Sequence, residues 1–238
     1  MFKRVLLKIS GEALAGSGHY GIDVARVNYY ASEVAELRKQ GVDVAIVVGG
    51  GNVWRGEGVG KEKMDQAQSH MMGMLATVIN TLALQDALEQ IAIPTRAMTA
   101  IRMESVAEPY VRRRAMRHLE KGRVVIFGGG TGNPFFTTDS AAALRAAEIH
   151  AEVLLMAKNG IDGIYSADPK LDSAAEFIPE LTYTEALSKG LRFMDATALA
   201  FARERQMPVI VFSMDNPGQL LRVVSGEKIG SKVVQNAI

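Results

Sequence analysis

Short apolar runs alternate with longer segments of helical periodicity along the whole chain. The runs cover residues 4–10, 42–48, 93–99, 123–129, 152–158 and 208–212. Because they are nearly continuous in apolar residues, they predict buried parallel strands, and the segments between them predict covering helices. The pattern therefore predicts an α/β fold with a mostly parallel central sheet and helices on both faces, a three-layer αβα arrangement.

Glycine, proline and capping residues mark the ends of several predicted helices. In chain order these are Gly41 after a helix over 23–40, Gly122 after one over 104–121, a capping box of Thr182 with Glu185, and a helix start at Asn216–Pro217. The segment 65–90 is apolar around most of its circumference, which predicts a helix buried in the protein or in a subunit contact.

Composition narrows the class of protein. The chain has 238 residues, 48% hydrophobic, enough for one domain over 1–238, with its softest internal division near Ala151. A net charge of +1 argues against a general nucleic-acid binder or a membrane-surface protein. The absence of cysteine excludes disulfides and thiolate chemistry and favours the cytoplasm. No run approaches the roughly 20 apolar residues of a membrane span, and the N-terminal run is too short for a signal peptide.

Three predicted strands end in glycine-rich turns, with the sequences KISGEALAGSG, VVGGGNVWRGEG and FGGGTGNPFFTTD. The carboxyl ends of parallel strands lie on one edge, so these turns predict a shared crevice whose backbone N–H groups favour phosphate. Glycine is also used in sharp turns for steric reasons alone. The P-loop (Walker) motif of nucleoside triphosphatases is absent. The dinucleotide-binding fingerprint matches poorly, so a Rossmann oxidoreductase is the least favoured alternative.

Three charged residues beside these turns are candidate catalytic groups. Lys8 lies in an apolar strand, where it either reaches water at the strand end or points to a phosphate in the crevice; the second interpretation is favoured. Arg55 is either a phosphate clamp or a solvated loop cation. Asp139 is either a helix cap or a cap that also orients Lys8.

Other polar features admit two interpretations each. The loop IDGIYSADP is either a plain turn or an adenine-binding surface, in which Tyr165 would supply an aromatic face and Asp162 and Asp168 polar edges. The segment 112–118 is basic but mixed with acids, which favours a solvated face or a subunit contact. The four histidines, His19, His70, His118 and His150, show no metal-ligand spacing, so no metal site built from side chains is predicted.

The stretches LLKISGEAL, VVGGGNVWRG, GMLATVIN, GGGTGNPFFTTDSAAALRA and DGIYSADP together resemble the bacterial uridylate kinases (UMP kinases) of the amino-acid kinase family. The resemblance runs from Lys3 to about Lys232. It implies the amino-acid kinase fold and reversible phosphoryl transfer from ATP to UMP, in pyrimidine nucleotide (CTP) biosynthesis. The acceptor half would span about 1–150 and the ATP nucleoside half about 151–238.

The resemblance also implies roles for individual residues. Lys8, Arg55 and Asp139 would be catalytic, with Asp139 positioning Lys8. ATP would contact Lys8, Ile9, Ser10, Gly11, Gly51, Arg55, Asn159, Tyr165 and Asp168. UMP would contact Gly50 and the loop residues Thr131, Gly132, Asn133, Pro134, Phe135, Phe136, Thr137 and Thr138. Mg²⁺ would be bound through the ATP phosphates.

Regulation is implied in the same way. The family is activated by GTP, inhibited by UTP and hexameric, which predicts a homohexamer with both effectors as ligands. The implied GTP residues are Gly16, Ser17, Gly18, His19, Tyr20, Gly21, Arg96 and Arg123. In one departure, His70 stands where the family usually has an acid that holds the acceptor ribose. This change puts the usual acceptor affinity or UTP response in question.

Two further hypotheses remain at this stage. Another amino-acid kinase would share the Lys8 half but lack the TGNPFFTT acceptor loop. A nucleotide sensor on the same fold would bind without transfer, and His70 is the residue that supports it, whereas Lys8, Arg55 and Asp139 argue against it.

Overall fold

A computed structural model describes residues 1–18, 20–55, 64–169 and 171–235. The strands are β1 Arg4–Ile9, β2 Asp43–Val48, β3 Thr95–Thr99, β4 Glu108–Pro109, β5 Val124–Gly128, β6 Val153–Lys158, β7 Ile164–Tyr165, β8 Phe177–Ile178, β9 Glu180–Thr182, β10 Val209–Ser213 and β11 Ser231–Val234. The α-helices are α1 Val24–Lys39, α2 Gln66–Gln90, α3 Arg112–Glu120, α4 Thr138–Glu148, α5 Tyr183–Ser188, α6 Ala196–Glu204 and α7 Gln219–Val224.

Nine strands form one sheet in the order β4-β3-β5-β2-β1-β6-β10-β11-β9. Within the described part of this sheet, β10 and β11 are the neighbours that run antiparallel; the other neighbours are parallel. The six apolar runs correspond to β1, β2, β3, β5, β6 and β10, so the predicted mostly parallel α/β sheet is confirmed.

The sheet is buried on both faces because its central strands are apolar at most positions. Val5, Leu7 and Ile9 of β1 pack into a cluster with α1, α2 and α7, whereas Leu6 packs on the opposite side with α3, α4, α5 and α6. Burial of each such side chain stabilises the fold by roughly 1.5–3 kcal/mol. Lys8 follows Leu6 by two residues, so the alternation of a strand directs it to the α4 side.

Most predicted helix ends are confirmed. Gly41 and Gly122 adopt φ angles of +78° and +73° directly after α1 and α3, in the left-handed region that favours glycine. The capping box of Thr182 with Glu185 is present at the start of α5. Asp65 caps α2 through its side chain, which accepts from the N–H of Gln68.

Two predicted helix starts are wrong. The helix predicted over 104–121 begins only at Arg112, because Glu108–Pro109 pair with β3 as the edge strand β4. Asn216–Pro217 do not begin α7; the carbonyl of Asn216 accepts from the N–H of Gln219 in a turn. Gly218 follows with φ +78°, so the helical backbone starts only after it.

Helix α2 bears on the expectation that no segment is long and apolar enough to span a membrane. Among the helices within the described ranges, it is the one that is long and apolar enough to cross a membrane by length and composition. Half of the qualifying window is buried inside the protein, where α2 packs on α1, β3 and β5, and core helices pass the same test. On its outer side, Met72, Leu75, Ile79 and Leu82 form an exposed apolar stripe.

Candidate active site

The turns that follow β1 and β2 touch each other at the carboxyl edge of the sheet. A Cβ on Gly11 would lie 2.7 Å from the nitrogen of Gly51 and 2.8 Å from the carbonyl oxygen of Gly49. Such distances are prohibitive, so glycine at position 11 is required by the packing of the two turns. Gly51 differs, because the nearest described atom to a Cβ there is 3.7 Å away, on Glu12.

A buried pair of asparagines fixes the turn after β2. The amide of Asn80 donates to the side-chain oxygen of Asn52 at 2.7 Å, and the amide of Asn52 donates back at 3.0 Å. Asn80 also donates to the carbonyl of Gly49, and Asn52 to that of Gly21, both at 2.7 Å. Because both residues are fully buried, satisfied amides hold this turn rigidly against α2.

Lys8 and Asp139 form an ion pair at the same edge. Lys8 Nζ lies 2.8 Å from Asp139 Oδ1, with 12% and 16% of the two side chains exposed. The prediction that Asp139 caps α4 is wrong, because the Thr137 side chain accepts from the N–H groups of Asp139 and Ser140. Asp139 lies instead in the first turn, where the helix dipole also favours its negative charge. Its contact with Lys8 is the one expected from the sequence.

Lys158, at the end of β6, is a site residue that the sequence prediction omitted. Met156 is paired with Lys8 in the sheet, so Lys158 projects to the same face as Lys8. Its ammonium donates to the carbonyl of Phe193 at 2.6 Å. Burial lowers the pKa of Lys158, and the charge of Lys8 lowers it further, while Asp139 opposes the shift. The available signal was a lysine near the carboxyl end of an apolar strand, a feature that Lys158 shares with Lys8.

A cavity of about 500 Å³ lies beside Lys158, and we call it the Tyr165 cavity. The predicted residues Tyr165 and Asp168 line it, whereas Asn159 is exposed outside its lining. The Tyr165 hydroxyl donates to Asp162 Oδ1 at 2.7 Å, and this hydrogen bond raises the pKa of the tyrosine. The remaining walls are Ile161, Gly163, Ile164, Ser166, Ala167, Pro169, Leu171, Lys189, Gly190, Leu191, Arg192 and Phe193.

A second cavity of about 550 Å³ lies between α2 and the loop of residues 129–137, and we call these the His70 cavity and the 129–137 loop. Its walls are Gly50, Gly51, Trp54, Arg55, Gln66, Ser69, His70, Gly73, Met74, Thr77, Gly130, Phe135, Phe136, Thr137 and Thr138. Gly51 and Arg55, which the resemblance assigns to ATP, therefore lie at this cavity. Ile9 is fully buried in β1, and the carbonyl of Ser10 accepts from the N–H of Ala13.

The other predicted loop residues lie away from the His70 cavity lining. Thr131 and Asn133 line a third cavity of about 230 Å³ against α4 and α6, together with Phe136 and Phe201. Gly132 lies between them in the chain and Pro134 follows Asn133, and both are outside the linings of these three cavities. Thr131 Oγ1 accepts from the N–H of Asn133, so this part of the loop is a local turn.

Helix α2 and Asp195 anchor the 129–137 loop at three points. The hydroxyl of Thr77 accepts from the N–H of Gly129 at 2.8 Å. His70 Nδ1 accepts from the N–H of Phe135 at 2.6 Å. At the far end, the hydroxyls of Thr137 and Ser140 donate to Asp195, which caps α6. The loop is thus held at its beginning, middle and end.

Arg55 is positioned at the mouth of the His70 cavity. Its Nη2 lies 2.7 Å from Glu12 Oε1, and 57% of its side chain is exposed. Its Nε donates weakly to the carbonyl of Gly51 at 3.4 Å. A guanidinium held this loosely remains able to exchange its carboxylate partner for a phosphate.

The two arginines assigned to GTP are linked through Glu108 and His118. Arg96 Nε lies 3.6 Å from Glu108 Oε1, and His118 Nε2 lies 3.1 Å from Glu108 Oε2. Arg123 contacts Nδ1 of the same histidine at 2.9 Å. Elsewhere, Gly16–Gly18 form a short 3-10 turn, Ser17 and Tyr20 are exposed, and Gly21 is bonded to Asn52. His19 lies outside the described residues.

The arrangement of acidic and histidine side chains determines whether the protein itself could hold a metal ion. The described residues contain no group of three or more His, Cys, Asp or Glu side chains arranged to hold a metal ion. Near the two larger cavities, the carboxylates of Glu12 and Asp139 are already paired with Arg55 and Lys8. These residues fit an ion that arrives with a ligand's phosphates better than one held by side chains alone.

Known structures are similar over nearly the whole chain. A UMP kinase from Bacillus anthracis is 38% identical, with a TM-score of 0.96 over 99% of this chain and 97% of that one. A UMP kinase from Ureaplasma parvum is 39% identical, with a TM-score of 0.92 over 99% and 100%. A uridylate kinase from Archaeoglobus fulgidus is 27% identical, with a TM-score of 0.75 over 98% and 100%. The sequence resemblance to bacterial UMP kinases is confirmed.

The family model agrees with the fold and with the charged edge of the sheet. The model described as the amino acid kinase family matches residues 3–213, which include β1, β2, β5 and β6 and both lysines at their ends. On this match, and on the similarity of the whole chain to solved members, the protein belongs to the amino acid kinase family.

Proposed function

We propose that this protein is a UMP kinase that transfers the γ-phosphoryl group of ATP to the α-phosphate of UMP, giving ADP and UDP. The observation that carries the proposal is the cluster of Lys8, Asp139 and Lys158 beside two cavities of about 500 and 550 Å³. Lys158 lines one cavity, and Thr138, next to Asp139, lines the other. Two ligand-sized cavities that share one charged cluster suit transfer between two nucleotides.

UMP is assigned to the His70 cavity and the nucleoside of ATP to the Tyr165 cavity. Support for the first comes from Phe135 and Phe136, which flank the cavity, and from the hydroxyls of Thr137 and Thr138. Support for the second comes from the Tyr165 ring, held edge-on by Phe177 at 5.5 Å between centroids. The acceptor half of the chain, about 1–150, and the ATP half, about 151–238, follow from this assignment.

The proposed mechanism depends on charge and alignment. An oxygen of the UMP phosphate attacks the γ-phosphorus while the bond to the β,γ-bridging oxygen breaks, so ADP leaves. The acceptor phosphate has a second pKa of about 6 and is already anionic at neutral pH, so no general base is required. Lys8 and Lys158 would stabilise charge on the transferring group, and Asp139 would hold Lys8 in place. Mg²⁺ carried by the ATP phosphates would neutralise part of their charge.

The test is formation of ADP and UDP from ATP and Mg²⁺ with UMP, CMP, dUMP or no acceptor, at several UMP concentrations. Rapid UDP formation with strong preference for UMP is expected. Binding of UMP without turnover would contradict the kinase and favour the nucleotide sensor. Transfer to a carboxylate or carbamate instead would favour another amino-acid kinase.

Activation by GTP and inhibition by UTP are further parts of the proposal, together with a homohexamer, a cytoplasmic location and a role in CTP biosynthesis. A chain of contacts from Arg96 through Glu108 and His118 to Arg123 supports an effector site, because an anion would compete with Glu108 for Arg96 beside a second cation. The exposed stripe of Leu75 and Ile79 supports a subunit contact. Light scattering of the wild type and of Ile79→Glu would measure the assembly, and initial rates with each effector would measure the regulation.

A further inference from the structure

His70 contacts the 129–137 loop at Phe135, a residue with an unfavourable backbone conformation. The N–H of Phe135 donates to His70 Nδ1 at 2.6 Å, and the two rings meet edge to face at 5.2 Å between centroids. Phe135 has φ +69°, in the left-handed region that is unfavourable for a residue with a Cβ. Such strain persists only where neighbouring groups enforce it, and His70 supplies both a hydrogen bond and a ring contact.

The same hydrogen bond selects one tautomer of the neutral imidazole. A backbone N–H donates only to a nitrogen that has a free lone pair, so Nδ1 carries no proton. The neutral ring therefore has its proton on Nε2. Within the part of the chain that the structure describes, Nε2 makes no hydrogen bond, and His70 lines the cavity assigned to the acceptor.

We propose that His70 recognises the acceptor nucleotide as a hydrogen-bond donor through Nε2–H, while Nδ1 positions the loop that covers the same nucleotide. This inference rests on the proposed function for the assignment of UMP to the cavity. The partner of Nε2–H is an oxygen with a free lone pair on the nucleotide. A carboxylate at this position would only accept, so it would select a hydroxyl and would repel a phosphate. A neutral donor adds no repulsion in a cavity that receives an anion.

Two substitutions separate the roles of the ring nitrogens. The carbonyl oxygen of Asn superimposes on Nδ1, so His70→Asn keeps an acceptor for the Phe135 N–H and removes the donor at Nε2. The amide of Gln reaches the Nε2 position, so His70→Gln keeps a donor there and removes the loop contact. Because His70 is only half-buried, neither variant removes a core side chain.

Three measurements read the two roles independently. The first is the tautomer of His70 in the wild type, from the two-bond ¹⁵N–¹H couplings of the imidazole. The second is hydrogen exchange of the Phe135 amide. The third is the dissociation constant for UMP from the fluorescence of Trp54, the single tryptophan, which lines the same cavity and donates to Ser69 at 3.1 Å.

We expect the Nε2–H tautomer in the free wild type. His70→Asn should keep the protection of the Phe135 amide but weaken UMP binding roughly twofold to tenfold, as loss of one hydrogen bond implies. His70→Gln should lose that protection and keep more of the UMP affinity. A proton on Nδ1, or unchanged UMP affinity in His70→Asn, would overturn the proposal. Absence of UMP turnover in the wild type would instead refute the proposed function, since tautomer and exchange do not depend on catalysis.

Discussion

The two large cavities have walls of different construction. The His70 cavity is bordered by a loop that α2 and α6 hold at three points, through Thr77, His70 and Asp195. The Tyr165 cavity is bordered by the 159–169 loop, in which Tyr165 bonds to Asp162 three residues away, while the N–H groups of Gly160 and Ile164 donate to the side chains of Asp215 and Ser231. Thr77 and His70, which hold the first loop, line the same cavity as that loop, whereas Asp215 and Ser231 lie outside the lining of the Tyr165 cavity. The difference suggests that discrimination among nucleotides is concentrated on the acceptor side.

Removing Lys8 from the charged cluster beside the two cavities should have the largest effect. Lys8→Ala should lower kcat by roughly 10²- to 10³-fold, because one preorganised cation is lost from the transferring phosphoryl group. Steady-state rates measure the loss, and titration of Trp54 fluorescence with UMP verifies that the acceptor still binds. Lys3→Ala, which changes an exposed lysine just before the start of β1, is the matched control. A kcat within threefold of the wild type would disprove the proposed role of Lys8.

The second effect concerns the pH dependence of transfer. Burial lowers the pKa of Lys158 below the usual 10.5, so its charge disappears as the pH rises through that lowered pKa. We expect kcat to fall by about tenfold per pH unit above it, since the neutral amine no longer stabilises the phosphoryl group. In Lys158→Arg the charge persists, so the alkaline limb should move to higher pH. Identical limbs in the two proteins would contradict the assignment.

The lowered pKa of Lys158 also predicts that stability, unlike kcat, increases with pH. Between the lowered folded pKa and 10.5, the unfolded chain binds a proton at Lys158 that the folded chain does not. The free energy of unfolding should therefore rise with pH in that window through this group. Urea unfolding of the wild type and of Lys158→Met at a series of pH values isolates the contribution. A difference between the two proteins that does not change with pH would exclude it.

A smaller effect is expected where α2 meets the 129–137 loop. Thr77→Val leaves the buried N–H of Gly129 without its acceptor, which should reduce the free energy of unfolding by about 1–3 kcal/mol and raise the KM for UMP. Thr81→Val is the matched control, because the hydroxyl of Thr81 bonds within the helix, to the carbonyl of Thr77. Equal KM values for UMP in the two variants would show that the anchor does not influence the acceptor.

The smallest effect is expected at the Tyr165 cavity. Tyr165→Phe removes the bond to Asp162 and keeps the edge contact with Phe177. Its free energy of unfolding should change by less than about 0.5 kcal/mol, as for other exposed positions. The KM for ATP should rise by less than about threefold, and the KM for UMP should not change. A larger rise for UMP than for ATP would reverse the assignment of the two cavities.

The sequence predicts the centre of this fold better than its margins. Five of the six long strands, all except β3, are apolar at most positions, so their pattern alone identifies them. The strands β4, β7, β8, β9 and β11 contain two to four residues each, and their pairing depends on partners distant in the chain. Glu108–Pro109 illustrates the limit, because helical periodicity continued through a segment that the edge of the sheet makes extended.

The site shows the same division. Glycine turns at the ends of β1, β2 and β5 predict a shared edge, and the alternation along β1 predicts the direction of Lys8. The approach of Lys158 depends on the register of β6 against β1, and the bond of His70 to Phe135 joins residues 65 positions apart. Neither is encoded by local spacing, so both require the tertiary structure.

Strand β1 is hydrogen-bonded to β2 on one side and to β6 on the other, through registers of six and five residue pairs. If two nucleotides bind as proposed, this continuous ladder would set the distance between them through the backbone of β1, β2 and β6. Any movement during turnover would then fall to the loops above the sheet, while the sheet keeps the path of the phosphoryl group constant in length.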